Sequence, residues 1–399
     1  MPTNLAQVPA SPFAGLLPAD AGVRSAWSSE AKQLLAEKIV AAHSLCGQAL
    51  KTQDKAQIRG MHSAARGIGE ALAESKNLAA VFRKNEKWFR NGRDIDISAI
   101  RPRLQLVQSD QEKQLWSLAR ACWSMPYSKG YGRRLRFLVL DEAHDALIGI
   151  LGLQSPPADL QCRDSLFSFP KGKKLTLINQ TLDAYTIGAI PPYSFILGGK
   201  LCAGLLCSDP IREAYWSKYA AKRTIINNSP IQQPLVAITT TSAFGRSSMY
   251  NRLQYSGRRL AEPIGYTKGY GMVHLEHLYG EICDLLESEN ALTPNGYGNG
   301  PKVRWQNVTK ALAILELPMN LLAHGLQREV FLFSLTSDLA SGMAGASFGT
   351  PLRLQVGEFS DYWKRRWAAP RAARFPEWKE IDARRLIRAK VNEWISLSR

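Results

Sequence analysis

The sequence predicts an α+β fold: a mixed α/β central domain flanked by an N-terminal helical module and C-terminal helices. Three observations predict it. Apolar residues recur at helical spacing through "SSEAKQLLAEKIVAAHSLCGQALKTQ" near the start. Two strand candidates, "RLRFLVL" (134–140) and "ALIGILGL" (146–153), are joined by the polar turn "DEAHD", which makes a β-hairpin the simplest reading. Helix-like segments then return beyond the glycine-rich break "TPNGYGNGP".

Taken in order, residues 1–24 are Pro/Ala-rich and form a flexible N-terminus. Residues 25–95 make the helical module, with Ser28 or Ser29 capping its first helix and a second helix from Asp54 to about Asn91. The mixed α/β core domain covers 96–292. In it "LQLV" reads as a strand, Ser109 caps "DQEKQLWSLARACW", and the hairpin follows. "LTLINQTLDAYTIGAI" reads as helical, and "PPYSFILGGKLCAGLLCS" as an extended start entering an apolar helix. "DPIREAYWSKYAAK" is a helix with Asp209 as cap and Pro210 at its first position. "PLVAITTT" is a buried strand, and His274 to Glu287 a helix. Residues 293–302 are a linker. The helical region 303–360 holds "RWQNVTKALAILEL" and "PMNLLAHGLQREVFLFSLTSDLA", both read as helices. Residues 361–399 form a basic, aromatic-rich C-terminal segment with eleven basic, five acidic and six aromatic residues. Such interleaving suits a nucleic-acid backbone plus base stacking, or a protein-docking arm, and predicts a segment outside the folding core.

Charge sets the expected partner. Fifty-one basic against thirty-four acidic residues leave +17, with a pI of about 9.7. That excess favours a polyanion, DNA first. From Ala214 to Ala261 no acidic residue occurs, while Lys218, Lys222, Arg223, Arg246, Arg252, Arg258 and Arg259 all fall inside. No apolar run reaches the ~20 residues of a membrane span, and the start lacks the basic-then-apolar pattern of a secretory signal. Six scattered cysteines without a CxxC pair read as thiols in a reducing cytoplasm. The sequence does not fix an oligomeric state.

Within the acid-free window lies "TTTSAFGRSSMYNRL". A strand end, a glycine turn and a serine-rich helix start at Gly245 would point backbone N–H groups at an anion; the plain alternative is a well-capped turn. The expected nucleic-acid contacts are Arg246, Ser247, Ser248, Asn251 and Arg252, with Lys200, Lys222 and Arg223. Arg246 is read as the binder and Arg252 as a brace against a carboxylate such as Asp164. Asp164 and Glu142 are the acidic candidates for catalysis, and a divalent metal is expected only if the chain is a nuclease. Neither GxxxxGK[ST] nor a strand-linked GxGxxG occurs, so no ATP hydrolysis and no other cofactor are expected. "HLEHLYGEIC" lacks the second ligand cluster of a zinc site.

The run from "GRRLRFLVLDEAHDALIGILGLQSP" through "LDAYTIGAIPPYSFILGGKLCAGLLCSDPIREAYWSKY" and "TTTSAFGRSSMYNRL" to "PIGYTKGYGMVH" resembles the Druantia DruA family, over roughly Gly132 to His274. The resemblance implies a component of a bacterial multi-gene system against bacteriophage, with partners that include a large helicase. It brings no reaction and no catalytic residue. The expectation is a basic subunit that senses phage DNA or delivers it to the helicase. The alternatives are a metal-dependent nuclease or DNA-modifying enzyme, and a non-catalytic assembly subunit. The hairpin strands also resemble an acyltransferase-like sheet, but the glycine-rich pyrophosphate loop expected after such strands is missing.

Overall fold

The computed structural model describes residues 27–52, 59, 62, 78–123, 125, 131–224, 228, 230–231, 235–243, 247–294 and 301–397. Helices and a mixed sheet confirm the α+β class. In chain order the elements start with α1 (Ser29–Thr52), α2 (Leu78–Asn85), β1 (Pro102–Leu106), α3 (Asp110–Arg120), β2 (Leu135–Asp141) and β3 (Ala146–Gln154). Next come the short α4 (Gln161–Asp164) and α5 (Lys174–Ile178), then β4 (Thr181–Ala189), α6 (Gly198–Gly204) and α7 (Asp209–Tyr219). After β5 (Ala237–Thr241), a small hairpin of β6 (Gln254–Tyr255) and β7 (Arg258–Arg259) leads into β8 (Glu262–Tyr266). The chain then forms α8 (Tyr279–Ser288), α9 (Pro301–Ile314), β9 (Glu329–Ser334) and α10 (Leu339–Met343). It closes with α11 (Val356–Trp363), α12 (Ala369–Arg374) and α13 (Ala383–Leu397).

Seven strands form one sheet in the order β1-β2-β3-β4-β5-β9-β8. The predicted hairpin supplies its second and third strands. Every residue of β3 is buried, which is why "ALIGILGL" reads as an unbroken apolar run instead of an alternation. Gly149 has no room for a side chain, since a Cβ there would collide with the Gly188 carbonyl of the neighbouring strand. All neighbours run antiparallel except β4 and β5. A parallel step requires a crossover, and α6 and α7 supply it. The parallel pairing is short: it runs from Thr181 opposite Ala237 to Ala184 opposite Thr240, while β4 continues to Ala189.

Two segments read as helical contain strands, and the helix opening at Asp209 has Ser208, not Asp209, at its N-cap position. "LTLINQTLDAYTIGAI" is helical only over Lys174–Ile178; Thr181–Ala189 is β4. "PMNLLAHGLQREVFLFSLTSDLA" contains β9, an interior strand, in place of a helix. In both, β-branched and aromatic residues find a place between two strands already in position, and that tertiary pairing outweighs local helix propensity.

One face of the sheet carries α6, α7 and α11, together with Trp367 and Trp378. The other is covered in two parts. Helices α2, α3 and α13 pack over β2 and β3, and α5 and α10 pack over β5 and β9. A separate core joins α1 to α8 and α9. No helix among the described residues is long and apolar enough to cross a membrane.

Candidate nucleic-acid interface

The acid-free window becomes a surface at the C-terminal end of α7. Tyr215 and Tyr219 are one helical turn apart, their rings 5.4 Å from centre to centre. Both hydroxyls turn towards the start of β2. The Arg133 guanidinium donates to the Tyr215 hydroxyl. The Tyr219 hydroxyl accepts from the Arg134 N–H at 2.8 Å and donates to the Arg134 carbonyl at 3.0 Å. Lys218 Nζ donates to the same carbonyl at 2.9 Å. Lys218 and Lys222 Nζ lie 5.6 and 5.7 Å from the Tyr219 ring centre, within cation–π range. Four cations thus gather around two tyrosines, and none of them meets a carboxylate among the described residues. Burial, and then repulsion from Lys222 and Arg134, holds the Lys218 amine below its ordinary pKa. Such a cluster is held together by the fold against its own repulsion and is relieved by an anion. Arg223, exposed just beyond, donates through Nε to the Asn228 carbonyl at 2.8 Å and to its Oδ1 at 3.0 Å.

The stretch that follows β5 packs against the start of α6. Phe244, Gly245 and Arg246 lie outside the described residues, so Arg246 has no assigned place. Ser247 to Asn251 form a single turn instead of a helix. The Asn251 N–H donates to the Ser247 carbonyl at 3.2 Å, and Arg252 ends the turn at φ 60°. Tyr250 is buried, its ring 4.8 Å from that of Phe331. Ser248, Asn251 and Arg252 are exposed. Lys200, from the first turn of α6, donates to the carbonyls of Ser248, Met249 and Asn251 at 2.9, 3.1 and 2.9 Å. An ammonium has three protons, and all are spent on this turn. Burial, with repulsion from Arg252 and Arg366, lowers the Lys200 pKa to about 8. Lys200 is therefore the pin that ties the β4 side of the sheet to the β5 side.

The acidic candidates are occupied. Glu142 is exposed and pairs with Arg101 at 3.1 Å and Arg103 at 2.9 Å. Asp164 accepts from the Leu160 N–H at 3.0 Å and pairs with Arg163 at 2.6 Å and Lys174 at 2.8 Å. Burial would raise its pKa, but hydrogen bonds from Lys174, Leu160 and Arg163 outweigh that and lower it. Asp164 is thus braced by Arg163 and Lys174, and the expected brace from Arg252 is not made. Nearby Asp141, fully buried, accepts from the Arg101 and Ala143 N–H groups, from the Tyr193 hydroxyl at 2.8 Å, and pairs with His144 at 2.7 Å. No group of three His, Cys, Asp or Glu among the described residues is placed to hold a metal ion.

Sequence reasoning missed one polar row. Gln154 of β3, Asp183 of β4 and Thr239 of β5 stand side by side in register across the sheet. The Thr239 hydroxyl donates to Asp183 Oδ1 at 2.8 Å, and Gln154 Nε2 donates to Oδ2 at 3.2 Å. One residue on, the Thr240 hydroxyl donates to the Ala184 carbonyl at 2.8 Å, where the parallel pairing ends. Burial pushes the Asp183 carboxyl up, against those hydrogen bonds and the attraction of Arg163 and Arg328. Reading "TLDAYTIGA" as a strand would have exposed it, because a lone aspartate inside an apolar strand calls for an explanation.

The fold and these sites define a basic α+β protein that carries, on a mixed sheet, a dense cation cluster with no carboxylate partner among the described residues. A family model described as Druantia protein DruA matches residues 52–345, so the chain belongs to that family and is a component of Druantia anti-phage defence. It is similar to the Druantia protein DruA of Escherichia coli (strain UMEA 4076-1), 36% identical over 337 residues, which cover 83% of each chain. No solved structure matches the chain significantly.

Proposed function

We propose that this chain is the DNA-binding subunit of its defence system, sensing phage DNA or delivering it to a partner helicase. The observation that carries the reading is the cluster of Arg133, Arg134, Lys218 and Lys222 around Tyr215 and Tyr219, without a carboxylate in reach among the described residues. Lysine and arginine neutralise phosphates, and the two buried tyrosines hold those cations together at the surface. Exposed Arg223, just beyond Lys222, adds to the same positive field. Glu142 and Asp164, each already paired with cations, lend nothing to metal-dependent cleavage.

The test is the triple variant Arg134→Gln, Lys218→Gln, Lys222→Gln, assayed beside wild type for affinity to labelled phage DNA and for protection of cells. Arg133 is left in place because its guanidinium also holds Tyr215. The reading expects at least about a tenfold loss of affinity at moderate salt, with protection lost in parallel. Unchanged DNA affinity with lost protection would assign the cluster to a protein partner instead.

A further inference from the structure

Tryptophan is on average a well-buried side chain, and nine of the ten in this chain are buried or half-buried. Trp216 is the exception, with 38% of its surface in water. Its indole belongs to none of the four apolar cores. It makes no ring contact, cation–π contact or hydrogen bond among the described residues. A bare indole adds little to the fold, whereas indoles are frequent anchors of binding surfaces.

The position of Trp216 gives that exposure a meaning. It lies on α7 three residues before Tyr219, so the two side chains are neighbours along one helical strip, with about 5–6 Å between their Cβ atoms. Tyr219 is the ring that the Lys218 and Lys222 ammonium groups approach to 5.6 and 5.7 Å. Both lysines are exposed, and so is Arg223 just beyond them. From Trp216 to Arg223 the surface is thus an indole followed by three cations, and the sequence holds no further carboxylate before Glu262. On the other side Glu213, exposed three residues before Trp216, bounds the patch. A polyanion is drawn to the lysine end and turned away from the Glu213 end. Its phosphates then meet the cations, and the indole is left to meet what hangs from its backbone.

We propose that Trp216 makes this surface a single-strand site: its indole stacks on one unpaired base while Lys218 and Lys222 hold the adjacent phosphates. Every base has a π face, so the contact is indifferent to sequence. Bases inside a duplex are stacked on one another and closed to a surface side chain, whereas a single strand offers them freely. This rests on the DNA-binding reading above and names the form of DNA that the same surface takes.

The experiment measures affinity of the full chain for three labelled probes of equal length: oligothymidylate, the same sugar-phosphate strand without bases, and duplex DNA. Wild type is expected to bind oligothymidylate about tenfold more tightly than the baseless strand, the effect of one stacked base. Trp216→Ala should bring oligothymidylate down to the level of the baseless strand, with the loss confined to that probe. Trp216→Phe, which keeps an aromatic face, should keep most of the preference. Neither variant should change the salt slope, because stacking displaces no counterion, whereas the triple cation variant should flatten it for all three probes. Three results overturn the inference and leave the DNA-binding reading standing. They are equal wild-type binding of the two single strands, a preference that survives in Trp216→Ala, and a Trp216→Ala loss shared by the duplex. No binding to any probe overturns both readings. The comparison of probes on wild type, with Trp216→Phe beside it, decides the matter even if Trp216→Ala does not fold.

Discussion

Lys200 shows how one side chain can join two parts of a sheet. Its ammonium serves three carbonyls of the turn after β5, while its own helix follows β4. Nothing in the sequence announces this, because the partners are 48 to 51 residues away. The charge census naturally placed Lys200 among the phosphate contacts. Lys200→Met removes the donors and leaves the carbonyls to water or to nothing, which costs about 1–3 kcal/mol. Thermal unfolding should show a lower Tm for Lys200→Met. Arg252→Ala, at an exposed position with no carboxylate brace among the described residues, should leave Tm within a degree or so, since such surface changes stay within about 0.5 kcal/mol. A larger fall for Arg252→Ala than for Lys200→Met would reverse the assignment of pin and bystander.

At the scale of the element, the C-terminal segment is the clearest lesson. Its composition of arginine and tryptophan looked like an arm for DNA or a partner, yet its tryptophans are core. Trp363 and Trp378 are buried on one face of the sheet, and Ile387, Val391 and Trp394 of α13 close the other against α2 and α3. Those three recur at intervals of four and three, the stripe of a helix with one apolar side, and that was legible. What was not legible was the receiving surface, built from residues some three hundred positions earlier. Fully burying a large apolar side chain contributes about 1.5–3 kcal/mol, so the three together approach the 5–15 kcal/mol net stability of a typical domain. Ending the chain at Asp382 should therefore broaden or abolish the cooperative calorimetric transition. A truncated chain that melts as wild type does would return α13 to the status of a peripheral arm.

Across the whole molecule, the histidines link stability to pH. His62, His274 and His324 are buried, and burial, helped by Arg328 for His62 and His324 and by His324 for His274, lowers each pKa from 6.5 to about 4. The folded state therefore keeps them neutral where the unfolded chain already binds protons. Their contribution is complete above pH 6.5 and is lost progressively as pH falls towards 4. Urea midpoints should be flat from pH 8 to about 7 and decline steadily below about 6.5. Replacing His274, whose Nε2 donates to the Leu321 carbonyl at 3.0 Å, with Gln should shallow that decline.

The fold class, the β2–β3 hairpin and the family were readable from the residues themselves, because apolar pattern and turn chemistry are local. Strands β4 and β9 were not, because each is a strand only by virtue of the neighbours between which it lies. The same holds for the site. The acid-free window marked Lys218 and Lys222, but Arg133 and Arg134 join them only through the packing of α7 on the start of β2.

The central claim is that this cluster grips phosphate, and salt dependence of DNA binding tests it most directly. Affinity for a short duplex should be measured across a series of salt concentrations for wild type and for Arg134→Gln, Lys218→Gln, Lys222→Gln. Each phosphate contact contributes a slope of roughly −0.9 to the plot of log affinity against log salt. The account predicts a steep wild-type line and a variant line shallower by up to about 3. Parallel lines for the two proteins, or a flat line for wild type, would contradict it.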